Sequence, residues 1–78
     1  MSEAIRVFHF AHTDTSIFAL TGGGVGNIQR RVGYFRWALS IPGQEIRAGE
    51  GKTFDKAKEA MEMCNDAGQA HADAVPND

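Results

Sequence analysis

The chain has 78 residues, of which 42% are hydrophobic and 23% charged, and its formal net charge is −2. This length predicts one domain, and the composition excludes an intrinsically disordered chain. The weak negative charge excludes proteins that bind nucleic acid through a global basic field. A domain of this size buries only about 60% of its unfolded surface, so a partner or a second copy would add stability.

The first part of the chain predicts a β-hairpin followed by a glycine-rich connection. Residues 4–11 and 17–21 are rich in aromatic and β-branched side chains, and the segment HTDTS between them is typical of a turn. We therefore expect these two strands to pair with each other. The segment GGGVGN, residues 22–27, contains too much glycine for regular structure, and we expect a flexible connection there.

Residues 30–41 predict the longest strand. The odd positions from 35 onward carry large apolar side chains, whereas the even positions 30, 34, 36 and 40 carry arginine, tyrosine and serine, so the two sets should lie on opposite faces. Pro42-Gly43 predicts a turn. Residues 44–49 then predict a fourth, short strand that pairs back.

The remainder of the chain predicts one helix. Thr53 suits the N-cap, Asp55 lies in the first turn, where the helix dipole favours a negative charge, and Gly68 suits the C-cap. Apolar side chains recur at helical spacing, which indicates packing on the sheet. The predicted fold class is α+β, with an antiparallel sheet of three to four strands and one C-terminal helix packed on one face. We expect residues 1–70 to form the domain and residues 71–78 a flexible tail.

The segment Gly51-Lys52-Thr53 has the sequence that ends a nucleotide-binding P-loop. The complete motif needs an earlier glycine at the position that Ile46 occupies here. A P-loop also follows a buried parallel strand and works with an acidic Mg²⁺ ligand on another strand, and the predicted elements provide neither. We interpret the segment as a turn and a helix cap, and we expect no cofactor.

The histidines and the cysteine do not predict a reactive site. His9 and His12 are three residues apart on a strand, so they should lie on opposite faces and cannot chelate one ion. Cys64 lies on the apolar stripe of the helix and is typical of a small core residue. Asp14, Ser16 and His12 share a turn, but nothing in the pattern indicates an oxyanion hole or a pocket. We expect no metal site, no catalytic residues and a non-enzymatic protein.

Three basic or aromatic side chains, Arg30, Tyr34 and Arg36, alternate along the predicted third strand. On an open sheet such side chains can stack on bases and neutralise phosphates, so one alternative is a small RNA- or DNA-binding sheet module. The other interpretation is a solvated sheet face whose charges oppose aggregation.

Both faces of the first two predicted strands are apolar, although one helix can cover only one face of the sheet. A loop or the tail could cover the second face, or that face could be an intermolecular interface, as large exposed apolar patches usually are. An apolar centre with arginine and tyrosine at its border is typical of a binding hot spot. The expected partner-binding residues are Phe8, Phe10, Phe18, Leu20, Arg30, Tyr34 and Arg36.

Residues 40–63, SIPGQEIRAGEGKTFDKAKEAMEM, resemble the central stretch of HicB-like antitoxins. The matching residues are Pro42-Gly43 and then Gly51, Thr53 and Ala57, which form a Gly-x-Thr-x-x-x-Ala helix start. The resemblance implies an α+β sheet fold and a toxin-neutralising role. In its length, its acidic balance and its lack of catalytic motifs, the chain is also similar to small phage-encoded inhibitors such as anti-CRISPR proteins.

The combined prediction is a non-enzymatic interaction protein that binds and blocks a macromolecular partner, as a phage or mobile-element inhibitor or an antitoxin-like protein does. We expect a protein partner, with a homodimer and nucleic acid as alternatives. The single Cys64 excludes an internal disulfide. The start of the sequence lacks a signal-peptide pattern and no stretch approaches the roughly 20 apolar residues of a membrane span, so we expect a cytoplasmic protein without a membrane partner.

Overall fold

Five antiparallel strands follow one another in the computed structural model, which describes residues 3–74 and the side chains of residues 3–70. In chain order and in sheet order these are β1 (Ile5–Phe10), β2 (Thr15–Ala19), β3 (Val25–Arg31), β4 (Tyr34–Ser40) and β5 (Arg47–Gly51). The helix α1 (Phe54–Ala74) follows and packs on β3, β4 and β5. The predicted α+β class is confirmed, but the sheet has five strands rather than three to four.

The additional strand arises because the predicted strand 30–41 is interrupted by a turn. Arg31 pairs with Tyr34, and only Val32 and Gly33 connect them. Gly33 has a φ of 84°, and a tight turn that requires positive φ at its third residue selects glycine there. The chain therefore reverses at Gly33, and its two halves lie side by side as β3 and β4.

The glycine-rich segment is more regular than the sequence predicts. A short turn of 3-10 helix, Thr21–Gly23, precedes β3, and the backbone oxygen of Thr21 accepts hydrogen bonds from Asn65 Nδ2 and Gln69 Nε2 of α1 at 3.3 and 3.2 Å. Gly26 belongs to β3 and faces the helix, where a Cβ would clash with the sulfur of Met61. The predicted irregular connection is thus wrong over residues 25–27, which belong to β3, where Gly26 lets the helix approach the sheet.

The core lies between α1 and the helix-facing side of the sheet. Trp37 of β4 pairs across the sheet with Ile28 on β3 and Gly49 on β5, in the central row of that side. Trp37, Ile28 and Met61 are all buried. The predicted inward orientation of the odd positions of β4 is confirmed, since Leu39 is buried as well and Ile41, just beyond the strand, is also buried.

The helix begins where the sequence predicts and ends later. Lys56 N donates a hydrogen bond to Thr53 Oγ1 at 3.1 Å, which confirms the N-cap. The predicted C-cap at Gly68 is wrong, because α1 continues to Ala74. Gly68 instead lies against the side chain of Ile41, where a larger residue would clash. Of the predicted tail 71–78, the first four residues are helical and residues 75–78 lie outside the described part of the chain.

The cap gives a first testable prediction about Gly51-Lys52-Thr53, in which Gly51 ends the antiparallel edge strand β5. We expect Thr53→Ala to lower the free energy of unfolding by about 1 kcal/mol, because one backbone donor of the first turn loses its acceptor. Lys52→Ala should leave it unchanged, since the Lys52 side chain is exposed. Urea unfolding of both variants measures the difference. Binding of Mg-ATP that disappears in Lys52→Ala would contradict the interpretation as a turn and a cap.

Candidate functional site

The sheet face opposite α1, which we call the outer face, is covered by no helix or strand of residues 3–74. Cross-strand pairing arranges its side chains in three rows that run from β1 towards β5. The first row is Ile5, Ala19, Val25 and Ser40; the second is Phe8, Ile17, Asn27, Ala38 and Ala48; the third is Phe10, Thr15, Gln29, Arg36 and Glu50. The first two rows are mostly apolar, and the third is polar beyond β1.

A β-bulge determines which residues of β1 reach the outer face. Ile5 and Phe8 are three residues apart, so strict alternation would place them on opposite faces. The register of pairing shifts between Arg6 and Phe8, which makes Val7 an additional residue in the strand. The bulge therefore brings Ile5, Phe8 and Phe10 to the same face.

Two residues of the predicted partner-binding face lie in the core instead. Phe18 is 2% exposed and Leu20 is 8% exposed, both on the helix side. Phe8 and Phe10 are 54% and 49% exposed, and their rings meet edge to face with centroids 4.5 Å apart. The prediction that all four residues share a face is wrong, because the bulge reverses the alternation of β1 relative to that of β2.

The predicted basic and aromatic group is also divided between the faces. Arg30 pairs with Phe35 on the helix side, and its guanidinium carbon lies 5.4 Å from the centre of that ring. Tyr34 and Arg36 are at the even positions of β4, whose side chains lie on the outer face. The neighbour of Tyr34 there is Arg31, so the grouping of Arg30 with Tyr34 and Arg36 is wrong. The turn after β3 causes this change, because it makes the predicted single strand into two.

The outer face therefore has an apolar part and a charged corner. Its exposed large apolar side chains are Ile5, Phe8, Phe10, Val25 and Ile46. Between Ile17, Val25, Ala38 and Ile46 lies a shallow, mainly apolar groove of about 190 Å³. Arg36 stands opposite Glu50 at the other end of the third row, and Arg31 and Tyr34 lie beyond it. An apolar centre with tyrosine and arginine at one border is the composition of protein-binding hot spots.

The helix side of the sheet holds a polar cluster at its uncovered corner. His9 Nδ1 lies 2.8 Å from Ser16 Oγ, and His9 Nε2 lies 3.4 Å from Asp14 Oδ1. The sequence grouped Asp14 and Ser16 with His12, but the partner of both is His9. Only the cross-strand pair of His9 with Ser16 could have revealed this, and that pair depends on the bulge. The expectation that no pocket forms here is wrong, since these three side chains line a cleft.

Comparisons with known proteins identify no relative of this chain: no family model, no curated protein and no solved structure matches it. The resemblance of residues 40–63 to HicB-like antitoxins therefore stays a prediction. No helix in the described part of the chain combines the length and the apolar character that crossing a membrane requires.

Proposed function

We propose that the protein is a non-enzymatic interaction protein that binds another protein through its outer face and blocks the surface that it covers. The observation that carries the proposal is the half-exposed pair Phe8 and Phe10, which lie beside Ile5 on a face without a covering element. Exposed apolar surface of this kind is stabilised when a partner removes it from water. The largest contiguous apolar patch on the surface of a protein is often functional.

The order of residues in the three rows favours a different protein over a second copy. In a face-to-face dimer with its two-fold axis along β3, β1 of one copy would lie over β5 of the other. Phe10 would then face Glu50, which leaves a carboxylate against an aromatic ring. With the axis across the strands, the polar third row would lie over the apolar first row. In both arrangements the second row would still match apolar with apolar side chains, but polar side chains of the third row would lie against apolar ones, so the outer face is only partly complementary to itself.

The partner chemistry that fits is an apolar surface with an acidic group at one side. The apolar part would cover Phe8, Phe10 and the groove beside Val25. The acidic group would meet Arg31 and Arg36, the two cations at the charged corner. Such rim charges accelerate association and fix the orientation of the partner more than they add affinity.

A nucleic-acid partner is the second candidate, and the adjacency of Arg31, Tyr34 and Arg36 favours it. Arginine and tyrosine on neighbouring strands can stack on bases and neutralise phosphates. Glu50 argues against nucleic-acid binding, because it is the cross-strand neighbour of Arg36 and places a negative charge on the same surface. The apolar half of the outer face also has no role in phosphate binding. A protein partner uses both parts of the face.

Site-specific photo-crosslinking tests this function. A photoreactive phenylalanine replaces Asn27 at the centre of the outer face or, as the control, Lys56 on the exposed side of α1. We expect position 27 alone to give one discrete adduct with another protein in the native host. That protein, once purified, should bind the wild-type chain. Adducts mainly with a second copy or with nucleic acid, or equal adducts from both positions, would contradict the proposal.

A further inference from the structure

A cleft of about 190 Å³ lies on the helix side of the sheet, at the corner that the first turn of α1 leaves uncovered. Its floor consists of the buried residues Ser16 and Ile28. Its walls include Arg6 from β1, Arg30 from β3 and Phe54 from α1. The cleft is large enough for a small anionic group and the atoms attached to it.

Arg6 is held in place without being neutralised. Its guanidinium carbon lies 5.9 Å from the ring centre of Phe18 and 5.6 Å from that of Phe54, within the range of cation–π contacts. No carboxylate of residues 3–70 forms an ion pair with Arg6. Its N–H groups are therefore positioned at the cleft and available to a ligand.

Arg30 is positioned by two contacts as well. Its guanidinium stacks near Phe35, and its Nε lies 3.2 Å from Asp14 Oδ2. The other oxygen of Asp14 faces His9, which lies next to Ser16 on the floor. Two arginines and one aspartate leave the cleft with one excess positive charge even when the imidazole is neutral.

We propose that this cleft binds the phosphate group of a small phosphomonoester. Arg6 and Arg30 stand on β1 and β3, on either side of the row that contains His9 and Ser16, so guanidinium donors approach the cleft from two sides. A tetrahedral group with three terminal oxygens uses donors on different sides. A planar carboxylate is satisfied by the fork of one arginine. The cleft is on the opposite side of the sheet from the outer face, so this proposal does not rest on the protein-binding function.

Titration of the ¹⁵N-labelled protein with inorganic phosphate and with glycerol 3-phosphate, at constant ionic strength, tests the proposal. We expect saturable shifts of the amide signals of His9, Ser16 and Arg30, and much weaker effects of acetate. Arg6→Gln should weaken binding at least tenfold. Arg47→Gln should leave it unchanged, because Arg47 lies in the same sheet row as Arg6 but at the opposite edge.

Arg30→Gln provides a second variant if Arg6→Gln unfolds, and it should also weaken binding about tenfold, as loss of one charge-assisted contact does. Thermal unfolding establishes that each variant is folded. Shifts that do not saturate, acetate binding as tight as phosphate binding, or equal effects of Arg6→Gln and Arg47→Gln would overturn the proposal.

Discussion

Trp37→Ala is expected to lower the free energy of unfolding by about 3–5 kcal/mol, the usual cost of removing a buried aromatic side chain. Trp37 lies in the central row of the helix-facing side, between Ile28 and Gly49. Its indole ring fills the space above Gly49 so closely that a Cβ there would lie 2.7 Å from it. Small domains are stable by only about 5–15 kcal/mol, so this loss removes a large part of the stability and, at the lower end of that range, leaves the variant close to unfolding.

Urea unfolding followed by circular dichroism measures this loss. Val32→Ala is the control, because Val32 is 98% exposed at the tip of the β3–β4 turn and its truncation should change stability by less than about 0.5 kcal/mol. The native protein should also show the blue-shifted fluorescence of a buried tryptophan. Emission typical of a water-exposed ring, or equal stability of the two variants, would contradict this placement of Trp37.

Phe10→Asp is expected to weaken binding of the protein partner by about 30-fold or more, which corresponds to the roughly 2 kcal/mol that a hot-spot residue contributes. Phe10 is half exposed at the end of an edge strand and contacts the ring of Phe8. The domain should therefore tolerate the change, while the apolar part of the outer face loses the Phe8–Phe10 pair and gains a charge. Met63→Asp is the matched control, because it places the same carboxylate at an exposed apolar position on α1, on the other side of the sheet.

Isothermal titration with the purified partner measures the affinity of each variant. Arg36→Glu on the outer face and Lys56→Glu on α1 form a second pair, in which both variants change the net charge by the same amount. We expect the first member of each pair to weaken binding and the second to have little effect. The opposite ranking would place the interface on α1. If light scattering shows that the protein is a dimer and that Phe10→Asp dissociates it, the outer face binds a second copy instead.

The features that sequence predicted correctly depend on residues close together in the chain. The helix-facing side of β4 could be predicted because Trp37 and Leu39 alternate with more polar neighbours at the two-residue period of a strand. The cap at Thr53 depends only on the first turn of the helix. The turn at Gly33 also has a local signal, since it is a glycine within a run of strand-forming residues.

The features that sequence missed depend on contacts between distant parts of the chain. The bulge at Val7 exists only in the pairing of β1 with β2, and it determines the positions of Phe8 and His9. A shift of one residue in a strand moves every later side chain to the other face. Likewise Gly26 is needed because Met61, far along the chain, lies over it. Strand alternation alone therefore misassigned Phe18 to the outer face and grouped the wrong histidine with Ser16.

The central claim is that the partner covers the outer face, and the methyl spectrum of the isoleucines tests it most directly. Ile5, Ile17 and Ile46 lie on the outer face or at its groove, whereas Ile28 and Ile41 are buried on the helix side. With selectively labelled methyl groups, addition of the partner should shift or broaden the signals of the first three and leave the other two nearly unchanged. Unchanged signals of Ile5 and Ile17, together with a shifted methyl signal of the exposed Met63 on α1, would contradict the claim.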